Sequence, residues 1–172
     1  MTITQRRTVS TPRRRSRRDA PPDLLAMAEG FARSATGWPG MDDPVERCWR
    51  TIAVTDRFEA WVVGWPAGGA IELHDHGESS GAVVVVSGTL VERTVAEGDG
   101  SLVATSRPVA AGGHVVFGPG HVHDLVNPGP GPALSVHVYG PRLRSMTYFA
   151  SDDGRTLVPV RTEEYREGLL VG

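Results

Sequence analysis

The chain has no lysine and a single cysteine, Cys48, among its 172 residues. One cysteine excludes an internal disulfide and fits a reducing compartment. The longest apolar run, residues 82–86, has the length of one strand and is too short to cross a membrane. The N-terminus also lacks the apolar segment of a secretory signal. We therefore expect a cytoplasmic protein with no membrane partner.

The basic residues are unevenly distributed. Seven of the 18 arginines lie within the first 18 positions. Such a run can tether a protein to nucleic acid or to a membrane, but it is more often a disordered leader. We expect residues 1–20 to be such a leader, with no nucleic-acid partner, and residues 21–172 to form one domain, a size that suits a substantial core.

The pattern after residue 20 predicts a short helix followed by many strands. Pro21, Pro22 and Asp23 form a helix start signal ahead of the apolar residues Leu24 to Phe31. From residue 47 onward, short β-like runs alternate with Gly and Pro, and a further helix is possible only around Glu163 to Leu169. The predicted strands cover residues 47–54, 58–65, 70–76, 82–87, 89–96, 101–106, 114–118, 121–127, 133–139 and 155–160. This pattern favours an all-β sandwich or barrel.

His74 and His76 are the most informative pair. In a strand, side chains at i and i+2 leave the same face, so both imidazoles point one way while Asp75 points the other. Two neutral imidazoles at this spacing can hold one first-row transition metal.

A second motif lies downstream and extends this interpretation. Gly113, Pro119-Gly120, His123 and Asn127, together with the segment from Gly68 to Gly88, resemble the paired motifs of the cupin family. The resemblance implies a cupin-type jelly-roll β-barrel after the short N-terminal helix, with His74, His76 and His123 as metal ligands. His121 is a competitor that fits the motif less well, and His114 fits no motif.

Gly81 departs from the common cupin pattern, in which a Glu at this place is a fourth, anionic ligand. Three neutral histidines leave three coordination positions open, an arrangement that resembles the facial triad of non-haem Fe(II) oxygenases. The uncompensated charge of the metal favours an anionic substrate ligand such as a thiolate. Fe(II) is therefore the expected cofactor.

Ser135, His137 and Tyr139 alternate with apolar residues along one predicted strand. Alone, this pattern is equally typical of a solvated outer face. The row, followed by Gly140-Pro141, is nevertheless similar to a stretch of the cysteine dioxygenase family. The two histidine motifs also resemble those of that family, of the bacterial type with Gly at position 81. The resemblance implies that the row lines the pocket beside the iron, with Tyr139 in contact with substrate.

Arg50 shares a predicted strand face with Cys48, Ile52 and Val54. A guanidinium among apolar neighbours needs an anion, either a substrate carboxylate or a buried acidic side chain. The family resemblance implies the first, because cysteine dioxygenases hold the substrate carboxylate with an Arg at this place. We therefore expect Arg50 to bind substrate.

Together these features predict an Fe(II)-dependent thiol dioxygenase, expected to be monomeric, that converts L-cysteine and O2 to cysteine sulfinate. One alternative is a dioxygenase of 3-mercaptopropionate or another small thiol carboxylate. Another is a non-enzymatic metal-binding cupin tethered by its arginine-rich leader. A cupin isomerase that uses Zn or Mn is disfavoured, because such sites usually keep the Glu that Gly81 replaces.

Overall fold

The computed structural model describes residues 22–34, 38–97, 101–151, 153–166 and 169–171. It begins with helix α1 (Leu24–Arg33), which is capped by Asp23 because its side chain accepts a hydrogen bond from the backbone N–H of Ala26 at 3.1 Å. The predicted N-terminal helix is therefore confirmed. The helix found in the described part of the chain, ten residues long, is too short to span a membrane. The predicted leader, residues 1–20, lies outside the described residues.

Twelve strands follow the helix in the described part of the chain. They are β1 (Cys48–Val54), β2 (Glu59–Trp65), β3 (Ala70–His74), β4 (Ser80–Ser87), β5 (Thr89–Glu97), β6 (Leu102–Ala110), β7 (His114–Phe117), β8 (His123–Val126), β9 (Ala133–Gly140), β10 (Ser145–Ala150), β11 (Val158–Arg166) and β12 (Leu169–Val171). One sheet has the order β1-β2-β9-β4-β7, and the other has the order β12-β11-β10-β3-β8-β5-β6.

These two antiparallel sheets form a jelly-roll barrel, which confirms the predicted all-β fold. The one exception allowed for, a further helix around Glu163 to Leu169, is wrong. Instead, β11 continues to Arg166: its residues up to Glu164 pair with β10, and Glu164 to Arg166 pair with β12. β10 itself was missed. The pairing of β10 with β11 is a long-range contact that local sequence preference does not encode. The same pairing overrides the helix propensity of the segment that begins at Glu163.

Both faces of the five-stranded sheet are covered. Residues of one parity, such as Trp61 in β2 and Val83 in β4, belong to the barrel interior. Residues of the other parity, such as Ala60 and Val136, pack with Ala28 of α1 in a second apolar cluster outside the barrel. Each central strand is therefore apolar on two sides, and alternation alone does not tell which side faces the cavity.

The register of β9 positions a row of polar side chains inside the barrel. β9 lies between β2 and β4, so that Tyr139 pairs with Glu59 on one side and with Gly81 on the other. His137, two residues earlier, pairs with Trp61 and Val83. Because residues of equal parity share one face of a strand, the row points into the barrel. The opposite sheet contributes His74 and His123, which are paired in register across β3 and β8.

Candidate active site

Two of the predicted metal ligands meet where β3 ends. His74 is the last residue of β3, and His76 lies just beyond it. Their side chains converge, with the two Nε2 atoms 3.2 Å apart, and the residues are only 2% and 3% exposed. The Nδ1–H of His74 donates a hydrogen bond to the backbone carbonyl of Glu72 at 2.7 Å. The Nε2 atom of His74 is thereby left free to bind a metal.

His123 completes the cluster. It lies at the start of β8, is 1% exposed, and its Nδ1 lies 3.0 Å from Oε1 of Glu92. One nitrogen from each of His74, His76 and His123 lies within 4.8 Å of the others. The competitor His121 is more exposed and lies 3.5 Å from Glu92 instead. The structure thus brings the three predicted histidines together.

Glu92 orients His123 and was not singled out in the sequence. It is 2% exposed, and its other oxygen, Oε2, accepts a hydrogen bond from Nε of Arg107 at 2.8 Å. Burial acts to raise the pKa of Glu92, but the nearby His121 and the hydrogen bonds from His123 and Arg107 outweigh it and lower the pKa well below the ordinary value. Glu92 is therefore a carboxylate that accepts the Nδ1–H of His123 and directs the Nε2 of that ring into the cluster.

The three imidazoles are neutral. Burial lowers the pKa of each histidine below its ordinary value, and the neighbouring rings lower it further. Three buried, neutral imidazoles whose nitrogens converge on one point are well placed to bind a cation between them. The donor set therefore fits a first-row transition metal bound by three imidazole nitrogens.

The Ser135, His137 and Tyr139 row is buried and connected. Oγ of Ser135 lies 2.9 Å from Nε2 of His137, and Nδ1 of His137 lies 3.1 Å from the Tyr139 hydroxyl. The indole N–H of Trp65 donates to Ser135 at 2.8 Å and extends the chain by one residue. The alternative of a solvated outer face is wrong, because all three residues of the row are buried.

The protonation of this row follows from its burial. Burial lowers the pKa of His137 to about 3, and electrostatic interactions with His123 and with Arg47 add to the effect. Burial also raises the pKa of Tyr139, and the nearby Glu59 raises it further. A neutral imidazole and a protonated phenol are therefore present at neutral pH. The row of Ser135, His137 and Tyr139 can therefore hold the phenol proton of Tyr139 in a defined position beside the three histidines.

The structure corrects the predicted position of the substrate-binding guanidinium. Arg50 is exposed, and its side chain donates to the carbonyl of Pro39 at 3.3 Å. Its strand neighbours Cys48 and Ile52 are apolar because they pack beneath the segment around Trp38 and Met41, outside the barrel. The apolar face that suggested an interior position for Arg50 is therefore the outer face of the sheet.

Arg47 is the guanidinium that lines the cavity. Its Cζ lies 5.5 Å from the ring centroid of Trp49 and 5.7 Å from that of Trp65. Arg47 shares its parity with Trp49, which packs against the barrel core. The cavity is lined by the three histidines, the His137–Tyr139 pair and Arg47, together with Trp49, Trp61, Val63, Trp65, Ile71, Leu125, Met146 and Tyr165.

The residues that sequence reasoning missed carry only weak signals. Glu92 shares a strand face with Leu90, so a charged side chain on an otherwise apolar face is its signal. The signal for Arg47 is that it lies two positions before Trp49, an aromatic residue on the inner face of β1. Trp65 has no signal of its own, because an aromatic residue at a strand end is ordinary.

Glu59 is a second buried carboxyl group, next to Tyr139. It is 0% exposed, and neither oxygen has a well-aligned hydrogen-bond partner in the part of the chain that the structure describes. Burial raises the pKa of Glu59 to about 7, although the backbone of Leu143 and the charge of Arg142 oppose the shift. The ionised form of Glu59 therefore destabilises the folded state.

The fold and the site together define a β-barrel of the cupin type with a three-histidine candidate metal centre. The sequence model of the cysteine dioxygenase type I family matches residues 20–152. The chain belongs to this family, as the resemblance of its motifs indicated.

Two solved structures support the fold. The TT1209 protein from Thermus thermophilus is 22% identical with a TM-score of 0.50, over 59% of this chain and 89% of that one. An oxalate oxidase in complex with the substrate analogue glycolate is 22% identical with a TM-score of 0.51, over 61% of this chain and 56% of that one. At such identity the likeness concerns the fold alone.

Glu92→Gln tests the orientation of His123. The substitution keeps the shape of the side chain but removes the charge that holds the Nδ1–H of His123. We expect metal affinity to fall by about 10- to 100-fold, the usual effect of losing an outer partner of a ligand. Equilibrium titration with Fe(II) under anaerobic conditions measures it. Glu72→Gln is the matched control, because its backbone carbonyl still accepts from His74. Equal affinities of Glu92→Gln and the control would contradict the assigned role.

Glu59→Gln tests the burial of that carboxyl group. Because the folded pKa is raised, Glu59 costs no stability below its unfolded pKa, and stability is lost as the pH rises from 4.5 to about 7. The variant should therefore be more stable than the wild type by up to about 3 kcal/mol at about pH 8, and nearly equal at about pH 4.5. Urea denaturation at both pH values measures the difference. Glu164→Gln, at an exposed carboxylate, should show no such pH-dependent gain.

Proposed function

We propose that the protein is an Fe(II)-dependent thiol dioxygenase that adds both atoms of O2 to the sulfur of L-cysteine and releases cysteine sulfinate. The observation that carries the proposal is one cavity that contains three neutral, buried histidines and one permanent cation, Arg47. Membership in the cysteine dioxygenase type I family supports the same chemistry.

His74, His76 and His123 would hold the iron. When bound, Fe(II) supplies the redox chemistry that activates O2 and a positive charge that lowers the pKa of the substrate thiol. The three imidazoles bring no negative charge, so an anionic thiolate is a favourable partner for the site. The organic step belongs to the metal, and the chain supplies geometry and a dry cavity.

Arg47 would bind the substrate carboxylate. Its planar fork can take both oxygens of a carboxylate at once, and its position between two indole rings restricts its movement. Holding the carboxylate on Arg47 would keep the sulfur within the cavity that the three histidines also line. This is catalysis by positioning, because binding orients the substrate before the reaction and the entropic cost of bringing the reactants together has already been met.

Tyr139 would donate a hydrogen bond into the cavity. Trp65 donates a hydrogen bond to Ser135, and the Ser135 hydroxyl can in turn donate a hydrogen bond to Nε2 of His137. The remaining proton of that neutral ring then lies on Nδ1 and points to the Tyr139 oxygen. In this arrangement the phenol hydrogen is free to donate to the substrate or to the oxygen being transferred.

A specific observation favours 3-mercaptopropionate as a second candidate substrate. Among the described residues, the cavity is lined by the cation Arg47 and by no acidic side chain. The ammonium group of cysteine would therefore have no carboxylate partner there. A thiol carboxylate without an amine avoids the cost of burying that charge.

The decisive experiment is oxygen consumption by the Fe(II)-reconstituted protein with each thiol in turn. We expect one O2 consumed per thiol, and a sulfinate product whose mass exceeds that of the substrate by two oxygen atoms. The ratio of kcat/KM for cysteine and 3-mercaptopropionate decides between the two substrates. Iron-loaded protein that consumes no O2 with either thiol would exclude the dioxygenase and favour a non-enzymatic metal-binding cupin.

Arg47→Gln tests the carboxylate contact. Loss of a buried charged partner costs about 2–5 kcal/mol, so kcat/KM should fall by roughly 30- to 4,000-fold. Arg50→Gln is the matched control, because it makes the same change on the outer face of the same segment, and its activity should stay near that of the wild type. A result in which Arg50→Gln is impaired and Arg47→Gln is not would reverse the assignment.

A further inference from the structure

The ring of Phe117 lies directly on Gly81. The two residues are cross-strand partners in β7 and β4, and Phe117 is 5% exposed. A Cβ added at Gly81 would lie 2.2 Å from Cζ and 2.6 Å from Cε2 of that ring, far closer than real atoms approach. Phe117 therefore fills the volume that any side chain at position 81 would need to enter the barrel.

The same ring is stacked on His76. The ring centroids of Phe117 and His76 are 4.5 Å apart, and the planes differ by 22°. His121 stacks on Phe117 as well, at 5.6 Å and 12°. Phe117 also meets His123 edge-on at 5.1 Å. One aromatic side chain thus contacts two of the three candidate ligands.

His76 differs from the other two candidate ligands in the hydrogen bonding of its Nδ1 atom. The Nδ1 atoms of His74 and His123 are held by the carbonyl of Glu72 and by the carboxylate of Glu92. The Nδ1 atom of His76 is buried and has no hydrogen-bond partner among the described residues. A ligand without such a partner is free to rotate about its side-chain bonds unless packing restrains it.

The geometry points to Phe117 as a positioning residue for His76, one that restrains the imidazole by stacking where the other two ligands rely on hydrogen bonds. By covering Gly81, the same ring also keeps the site at three protein ligands. This inference rests on the proposed metal site, but not on the thiol substrate or on the oxygen chemistry.

The test compares Co(II) binding by Phe117→Leu and by Val115→Ala. Val115 lies two residues earlier in β7, on the same buried face, and pairs with Val83 rather than with Gly81. Its truncation removes core packing and leaves the stack intact. Co(II) titration gives the dissociation constant, and the visible absorption of the bound Co(II) reports the arrangement of its ligands.

A third variant separates positioning from packing. The backbone at Gly81 does not have a positive φ, so an alanine is tolerated there once the ring is removed. In Gly81→Ala/Phe117→Leu, the new methyl group refills part of the vacated volume without restoring a stacked ring. The double variant also keeps the test informative if Phe117→Leu alone does not fold.

We expect Phe117→Leu to lose about 10-fold in Co(II) affinity with a changed absorption spectrum, as loss of an outer partner does. Val115→Ala should bind Co(II) as the wild type does. The double variant should recover thermal stability but not affinity. Unchanged affinity in Phe117→Leu, or an equal loss in Val115→Ala, would overturn the positioning role alone. A wild type that does not bind Co(II) would overturn the metal site, and this inference with it.

Discussion

The convergence of three neutral imidazoles in a buried place is the constraint on which the rest of the site depends. Burial disfavours protonation of each ring, and nearby histidine rings add to the effect. The ring nitrogens that face one another must then be oriented by hydrogen-bond acceptors that lie outside the three-histidine cluster. A backbone carbonyl aims His74 and a buried carboxylate aims His123, so the ladder of the seven-stranded sheet and the Glu92 network are parts of the candidate metal centre.

The opposite wall of the cavity follows from the central place of β9. A strand with neighbours on both sides has its backbone groups paired, which leaves its inward side chains to pair among themselves. Ser135 and His137 do so in a row that starts at the indole of Trp65 and ends at the hydroxyl of Tyr139. Because each group in the row is buried, leaving one unpaired would be costly, and this cost fixes the row in one arrangement.

Part of this site was predictable from local patterns and from the family resemblance, and the misplacement of Arg50 has a structural cause. The i, i+2 spacing of His74 and His76 is a short-range signal, whereas His123 and the inward direction of the Ser135, His137 and Tyr139 row were implied by the family resemblance; the structure brings both groups together. Arg50 was misplaced because the five-stranded sheet is covered on both faces, so its apolar neighbours marked the outer cluster rather than the cavity. Which face turns inward is set by α1 and by strand pairing, and neither is encoded within β1.

The electrostatics of the cavity narrow the chemistry it can support. Arg47 is the one permanent charge among the described lining residues, and the histidines beside it are held neutral. A cation added to the three imidazoles would leave two positive centres in one buried cavity, and an anion at each would relieve their repulsion. A small molecule with a carboxylate at one end and a thiolate at the other meets both requirements. A neutral ligand meets neither, so the charge distribution favours a ligand with two anionic groups, which is the charge pattern of the thiol carboxylates proposed as substrates.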